Sequence, residues 1–236
     1  TVALVFVWSL NQKILTKLKN FLKKITNHTL LAKLFLEKKI LKSMVKLVGG
    51  KKINIAVFIS GRGSNLRSLI KFSKKKSSPI KIILVVSNKK NAKGLVYAKK
   101  NNIKIKVIKY SNRSNAEEKI LKTIYKEKIK LICLAGFMKI LSKTFIKKFK
   151  GKILNIHPSL LPKYKGLNPH SKVIKNKEKY SGCTVHLVNS KLDSGKIILQ
   201  KKIKVLRSDN KISLANKVLK LEHDVYSKAI SKFLSN

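Results

Sequence analysis

The chain has 236 residues, a mass of 26.8 kDa and 44% hydrophobic residues, enough for one α/β domain of ordinary size plus an appendage. Its two cysteines, Cys133 and Cys183, sit in the apolar contexts LICLAG and GCTVHLV, which points to buried free thiols in a cytoplasmic protein rather than a disulfide framework. The formal net charge of +47 would ordinarily suggest nucleic acid or anionic lipid, but the excess is almost all lysine, spread evenly, with only Arg62, Arg67, Arg113 and Arg207 as arginines; this reads as a compositional bias, argues against nucleic acid as the partner, and would still help collect anionic substrates.

Residues 1–50 open on TVALVFVW, too short an apolar run to span a bilayer and without the flanks of a signal peptide. From Lys13 to Lys46, apolar residues alternate with lysine in a roughly helical pattern. Three readings compete: a basic amphipathic helix lying on a membrane or partner, the remnant of another domain, or sequence upstream of the true start, with Gly49-Gly50-Lys51-Lys52 as the boundary. A domain over residues 52–236 follows.

INIAVFIS (53–60) reads as a strand buried on both faces. GRGSN follows, and LRSLIKF opens a helix. A strand, a Gly-rich turn and a helix N-terminus can hold a phosphate on free backbone N–H groups, with Gly61 and Gly63 allowing the turn and Ser64 and Asn65 suited to capping or to donating to the anion; a plain strand-to-helix turn would look similar. IKIILVVSN (80–88) is the next buried strand, Asn91–Lys100 a short helix containing Gly94, and IKIKVI (103–108) a strand nearer the sheet edge. Asn112-Arg113-Ser114 reads as a loop before the helix NAEEKILKTIYKEK. KLICLAGF (130–137) is the central strand, followed by MKIL (138–141) and the short helix SKTFIKKF. Strands alternating with helices predict a doubly wound, mainly parallel α/β sheet, with IILQKKIKVL as a further, antiparallel strand near the C-terminus and a long closing helix spaced by three and four.

KILNIH is a short strand that Pro158 stops. Residues two apart on a strand face the same side, so Asn155 and His157 project together at the C-terminal end, where open α/β sheets bind ligands. An amide and an imidazole there can donate to an oxygen that gains charge as a carbonyl is attacked. Asp193, one of three aspartates among nine acidic residues, sits in the Gly-containing turn LDSG, and a carboxylate beside an imidazole favours its protonated form. Loop residues Leu167, Asn168, Pro169 and His170 run on towards SKVIKNK, and Thr184 and His186 share a face of the strand GCTVHLVN. No metal-ligand spacing and no nucleophile elbow is present in the sequence.

NIHPSLLPKYKG, LDSG and AGFMKIL together resemble the folate-dependent formyltransferases from residue 53 to the end, while the first fifty residues have no counterpart there. The resemblance implies a Rossmann-like fold and 10-formyltetrahydrofolate as formyl donor, best matched to the branch whose acceptor is the amine of 5'-phosphoribosylglycinamide in purine synthesis. It implies Asn155, His157 and Asp193 as the catalytic set; Gly63, Ser64 and Asn65 at the substrate phosphate; Glu222 in LEHDVY at the ribose or glycinamide; and Arg113, Met138, Lys139, Ile140, Leu141 and Asn155 at the folate. The family usually has an acid after the arginine where Ser114 stands, and a Thr-like residue where Pro169 stands. Sister branches that use water (a formyltetrahydrofolate deformylase) or methionyl-tRNA as acceptor are the alternatives within the fold, and a basic nucleic-acid- or membrane-binding module is the alternative outside it.

Overall fold

A computed structural model describes residues 52–235 together with Thr16. Lys51–Asn236 form one compact unit; the amphipathic reading of residues 1–50 lies outside the described residues. No helix among the described residues is long and apolar enough to cross a membrane.

The strands are β1 (Ile53–Ile59), β2 (Ile80–Ser87), β3 (Lys104–Val107), β4 (Leu131–Leu134), β5 (Lys152–His157), β6 (Tyr180–Leu187) and β7 (Ile197–Lys204); the helices are α1 (Ser64–Ser73), α2 (Leu95–Lys100), α3 (Arg113–Lys126), α4 (Lys143–Lys148), α5 (Pro169–Lys175) and α6 (Lys211–Ser235). They form a seven-stranded sheet in the order β3-β2-β1-β4-β5-β6-β7. Pairing is parallel from β3 to β5 and antiparallel for β5-β6 and β6-β7. The doubly wound, mainly parallel sheet with an antiparallel C-terminal part is therefore as the pattern predicts.

β1 shows why. It carries no polar side chain after Asn54, and its successive residues point to opposite faces: Ile55, Val57 and Ile59 enter one core layer with α1, α5 and α6, while Ala56 and Phe58 enter the other with α3 and α4. Each fully buried isoleucine on such a strand is worth roughly 1.5–3 kcal/mol. α6 buries Leu214, Val218, Val225, Tyr226, Ala229 and Ile230. The hydroxyl of the buried Tyr226 is shared between the Leu134 carbonyl at 3.0 Å and the Leu154 carbonyl at 3.1 Å, tying the helix to the strands that lead into the site.

Several boundaries differ from expectation. The Asn91–Lys100 helix begins only at Leu95, because Gly94 abuts the loop after β1: a Cβ on Gly63 would lie 2.5 Å from the Gly94 Cα. Arg113 is not in a loop; it opens α3, with the Asn112 side chain capping the helix from outside by accepting from the Asn115 N–H at 3.0 Å. Pro169 and His170 likewise belong to the first turn of α5, where the fixed φ of proline is suited to a helix start. KLICLAGF forms a strand only over Leu131–Leu134.

Sequence order reverses at β1, whose neighbours are β2 and β4. The loops that leave β1 and β4 are bonded to each other there: Ser60 N–H donates to the Gly136 carbonyl at 3.1 Å, and Met138 N–H to Ser60 Oγ at 2.8 Å. Such a switch point at the C-terminal strand edge is where an α/β sheet leaves a crevice.

Candidate active site

Asn155 and His157 lie at the end of β5, and the structure brings Asp193 to both. Asp193 Oδ2 is 3.4 Å from His157 Nδ1, and Asp193 Oδ1 accepts from Asn155 Nδ2 at 3.4 Å. The turn that carries Asp193 is tightly set. The residue has φ 45°, in the left-handed region, and a Cβ on Gly195 would meet the Leu187 carbonyl at 1.7 Å, so only glycine fits there. The Gly166 N–H reaches the same carboxylate at 2.9 Å. Burial alone would raise the Asp193 carboxyl, but bonds from His186 and Gly166 and the charge of the two histidines outweigh it and hold it below the ordinary range.

His157 Nε2 donates to the Tyr164 carbonyl at 2.9 Å. Both ring nitrogens thus face oxygens, and the ring can donate to both only as the imidazolium. His186 completes the cluster. Antiparallel register sets it opposite Asn155. Its Nδ1 faces the Leu187 carbonyl at 2.8 Å, and its Nε2 lies 3.2 Å from Asn155 Nδ2 and 3.6 Å from Asp193 Oδ1. The sequence puts His186 and Thr184 on one face and, by the family resemblance, at positions lining the site; which residue His186 meets depends on the pairing of β6 against β5. Thr184 stands opposite His157 across the β5–β6 pairing, and its hydroxyl secures the following loop, donating to the Ser159 carbonyl at 2.7 Å and accepting from the Leu161 N–H at 3.2 Å. His170 has a buried Nδ1 without a hydrogen-bond partner among the described residues, and burial followed by the charge of His157 lowers its pKa.

On the far side of the edge, Gly63 takes φ 73° and stands at the start of α1. Ser64 and Asn65 do not cap: no side-chain bond closes this helix end, so its first N–H groups remain open to an anion. Asn65 instead points inward and donates from Nδ2 to Glu222 Oε2 at 2.6 Å, while its buried Oδ1 has no partner among the described residues. Glu222 is no surface residue. It is 7% exposed, and burial pushes its carboxyl up to about 7 against the single lowering influence of Asn65.

Between these ends runs the segment 138–141. Met138 and Ile140 are 61% and 64% exposed, an unusual state for two neighbouring large apolar side chains and one suited to a flat ring laid against them. Leu141, expected in the same wall, is buried in the core beneath it. Lys139 is exposed. Arg113 lies at the start of α3, half exposed, with Nε 3.4 Å from Glu117 Oε1.

Residues 53–230 match the Formyl transferase family. A phosphoribosylglycinamide formyltransferase of Haemophilus influenzae is 41% identical over 182 residues, covering 76% of this chain and 86% of that protein. The trifunctional purine biosynthetic protein adenosine-3 of Homo sapiens is 42% identical over 183 residues, again 76% of this chain but 18% of the relative, so the chain spans less than a fifth of the trifunctional proteins it matches. The crystal structure of phosphoribosylglycinamide formyltransferase from Brucella melitensis superposes with a TM-score of 0.75 at 40% identity, covering 79% of this chain and 97% of that one.

Proposed function

The chain belongs to the formyl transferase family, and from that premise we propose that it moves the formyl group of 10-formyltetrahydrofolate onto the amine of 5'-phosphoribosylglycinamide, a step of purine synthesis. The observation that carries the reading is the convergence of Asn155, His157 and Asp193 at the same sheet edge as an open helix N-terminus and an exposed apolar segment. The first suits a phosphate, the second a folate ring.

Asn155 Nδ2 and the His157 ring donate to the formyl oxygen as it gains charge under attack by the amine. An oxyanion donor of this kind is worth about 10²–10³-fold in rate. The amine nitrogen bonds to the formyl carbon and the bond from that carbon to the folate nitrogen breaks; His157 gives its proton to the departing nitrogen and regains the one lost by the attacking nitrogen, relayed by Asp193, which also stabilises the ring's charge. His157 Nε2 is committed to the Tyr164 carbonyl, so the loop carrying Tyr164 releases it when the ring turns to the substrate. Gly63, Ser64 and Asn65 hold the phosphate, Glu222 the ribose or glycinamide, and Arg113, Met138, Lys139, Ile140 and Asn155 the folate, with Leu141 supporting that wall from beneath. The domain that does this is residues 52–236, the partners are small molecules rather than nucleic acid, and the setting is cytoplasmic.

An acceptor assay tests the reading. With formyl donor present, product is expected on phosphoribosylglycinamide. Free formate released without that amine would assign water as the acceptor, and formyl-methionyl-tRNA would assign the tRNA branch.

A further inference from the structure

Of the eight acidic residues within 52–235, Glu117 is buried where nothing in the reaction so far requires a charge. It is 4% exposed, and three donors converge on it: the Ser142 N–H at 2.8 Å and Arg113 Nε at 3.4 Å on Oε1, and the Ser142 hydroxyl on Oε2. Ser142 is in turn the cap of α4, accepting from the Phe145 N–H at 2.9 Å. The other end of the 138–141 segment is held in a matching way. Met138 N–H donates to Ser60 Oγ at 2.8 Å, and Ser60 Oγ donates to Asn88 Oδ1 at 2.5 Å. The exposed apolar segment is thus clamped at both ends by side chains from other elements. The Phe137 ring, just before it, is fixed edge-on against Phe58 and Tyr110, with centroids 5.3 and 5.6 Å away.

We propose that Glu117 is a positioning residue for the formyl-donor side of the site. One buried carboxylate sets both the C-terminal end of the 138–141 segment and the guanidinium of Arg113, so the apolar wall and the cation are delivered in fixed relation to each other. A hydrocarbon of the same size would fill the space with less desolvation, but would orient neither the Ser142 N–H nor the guanidinium. The inference rests on the proposed function, since it takes this segment and Arg113 as the folate's contacts.

The test compares Glu117→Gln and Ser142→Ala with the unaltered full chain, measuring KM for each substrate, kcat and the thermal midpoint. Loosening a binding element by a fraction of an ångström costs on the order of 10-fold. Glu117→Gln is therefore expected to raise KM for the formyl donor by about that factor, leave KM for the phosphorylated amine within about 2-fold, and change kcat little. Ser142→Ala, which keeps the backbone donor, is expected to give a smaller rise in the same KM. An unchanged donor KM overturns the inference, and so does an equal rise in both KM values, which marks a general structural role. If Glu117→Gln does not fold, Ser142→Ala decides by the same split. Absence of transfer by the unaltered chain would instead be failure of the proposed reaction, a separate result.

Discussion

Asp193 and Glu222 are both buried carboxylates at the C-terminal edge of one sheet, and they are held in opposite ways. Asp193 is surrounded: two imidazoles, an amide and a backbone N–H face it, and its carboxyl is held below the ordinary range. Glu222 has one donor, Asn65, and burial lifts it to about 7. The Asp193 end has its donors already in place. The Glu222 end holds unpaired capacity, in the Asn65 Oδ1 and the open N-terminus of α1, that a ligand's donors and charge would satisfy. Preorganised dipoles are needed where charge develops, whereas a binding end can be completed by what it binds.

Altering each end separately should sharpen that contrast. His157→Ala removes the ring that faces Asp193 and is expected to lower kcat by about 10²–10⁴-fold while the protein still folds, as read by turnover beside circular dichroism. Near-normal turnover would put the chemistry elsewhere. Glu222→Gln should act on stability. A carboxyl whose folded pKa is raised from 4.5 to about 7 binds its proton more tightly when folded, so its contribution is full below the unfolded value and declines as pH rises towards 7. The unaltered protein should lose about 3 kcal/mol over that window and the glutamine variant should not, as denaturant titrations at pH 4.5 and 8 would show. Gly63→Ala should cost about 1–3 kcal/mol and raise KM for the phosphorylated acceptor, because the new methyl meets Gly94 and the backbone is left-handed. Asp193→Asn should have the smallest stability effect and the opposite sign of pH dependence. A carboxyl held low contributes above its unfolded pKa and loses that contribution as pH falls through the folded value, so the stability of the variant should fall less steeply on acidification than that of the parent. Acid sensitivity that stays the same would mean the ring contacts are not felt by the carboxylate.

The sheet was legible because its strands are short apolar runs with little else in them; INIAVFI and LICL have no second reading once helices alternate with them. The proximity of Asn155 and His157 followed from period two, and the arrival of Asp193 was visible through its motif context. What stayed hidden were side-chain partnerships between distant segments. Nothing local in GRGSN or LEHDVY says that Asn65 bonds Glu222, and nothing local separates Glu117 from Glu118, yet the first is buried and the second exposed. The early start of α5 had a local signal in Pro169. Arg113 as a first helical residue also had one, in Asn112 three residues ahead of the N–H it caps.

The claim on which the rest depends is that the imidazole of His157 and the carboxylate of Asp193 work as one unit. A double-variant cycle on kcat/KM for formyl transfer measures that, using His157→Ala, Asp193→Asn and the two together. A single unit predicts that the double variant loses little more than His157→Ala alone, so that Asp193→Asn has almost no further effect once the ring is gone. Losses that simply multiply would contradict it and make the 3.4 Å approach of the two side chains incidental to the reaction.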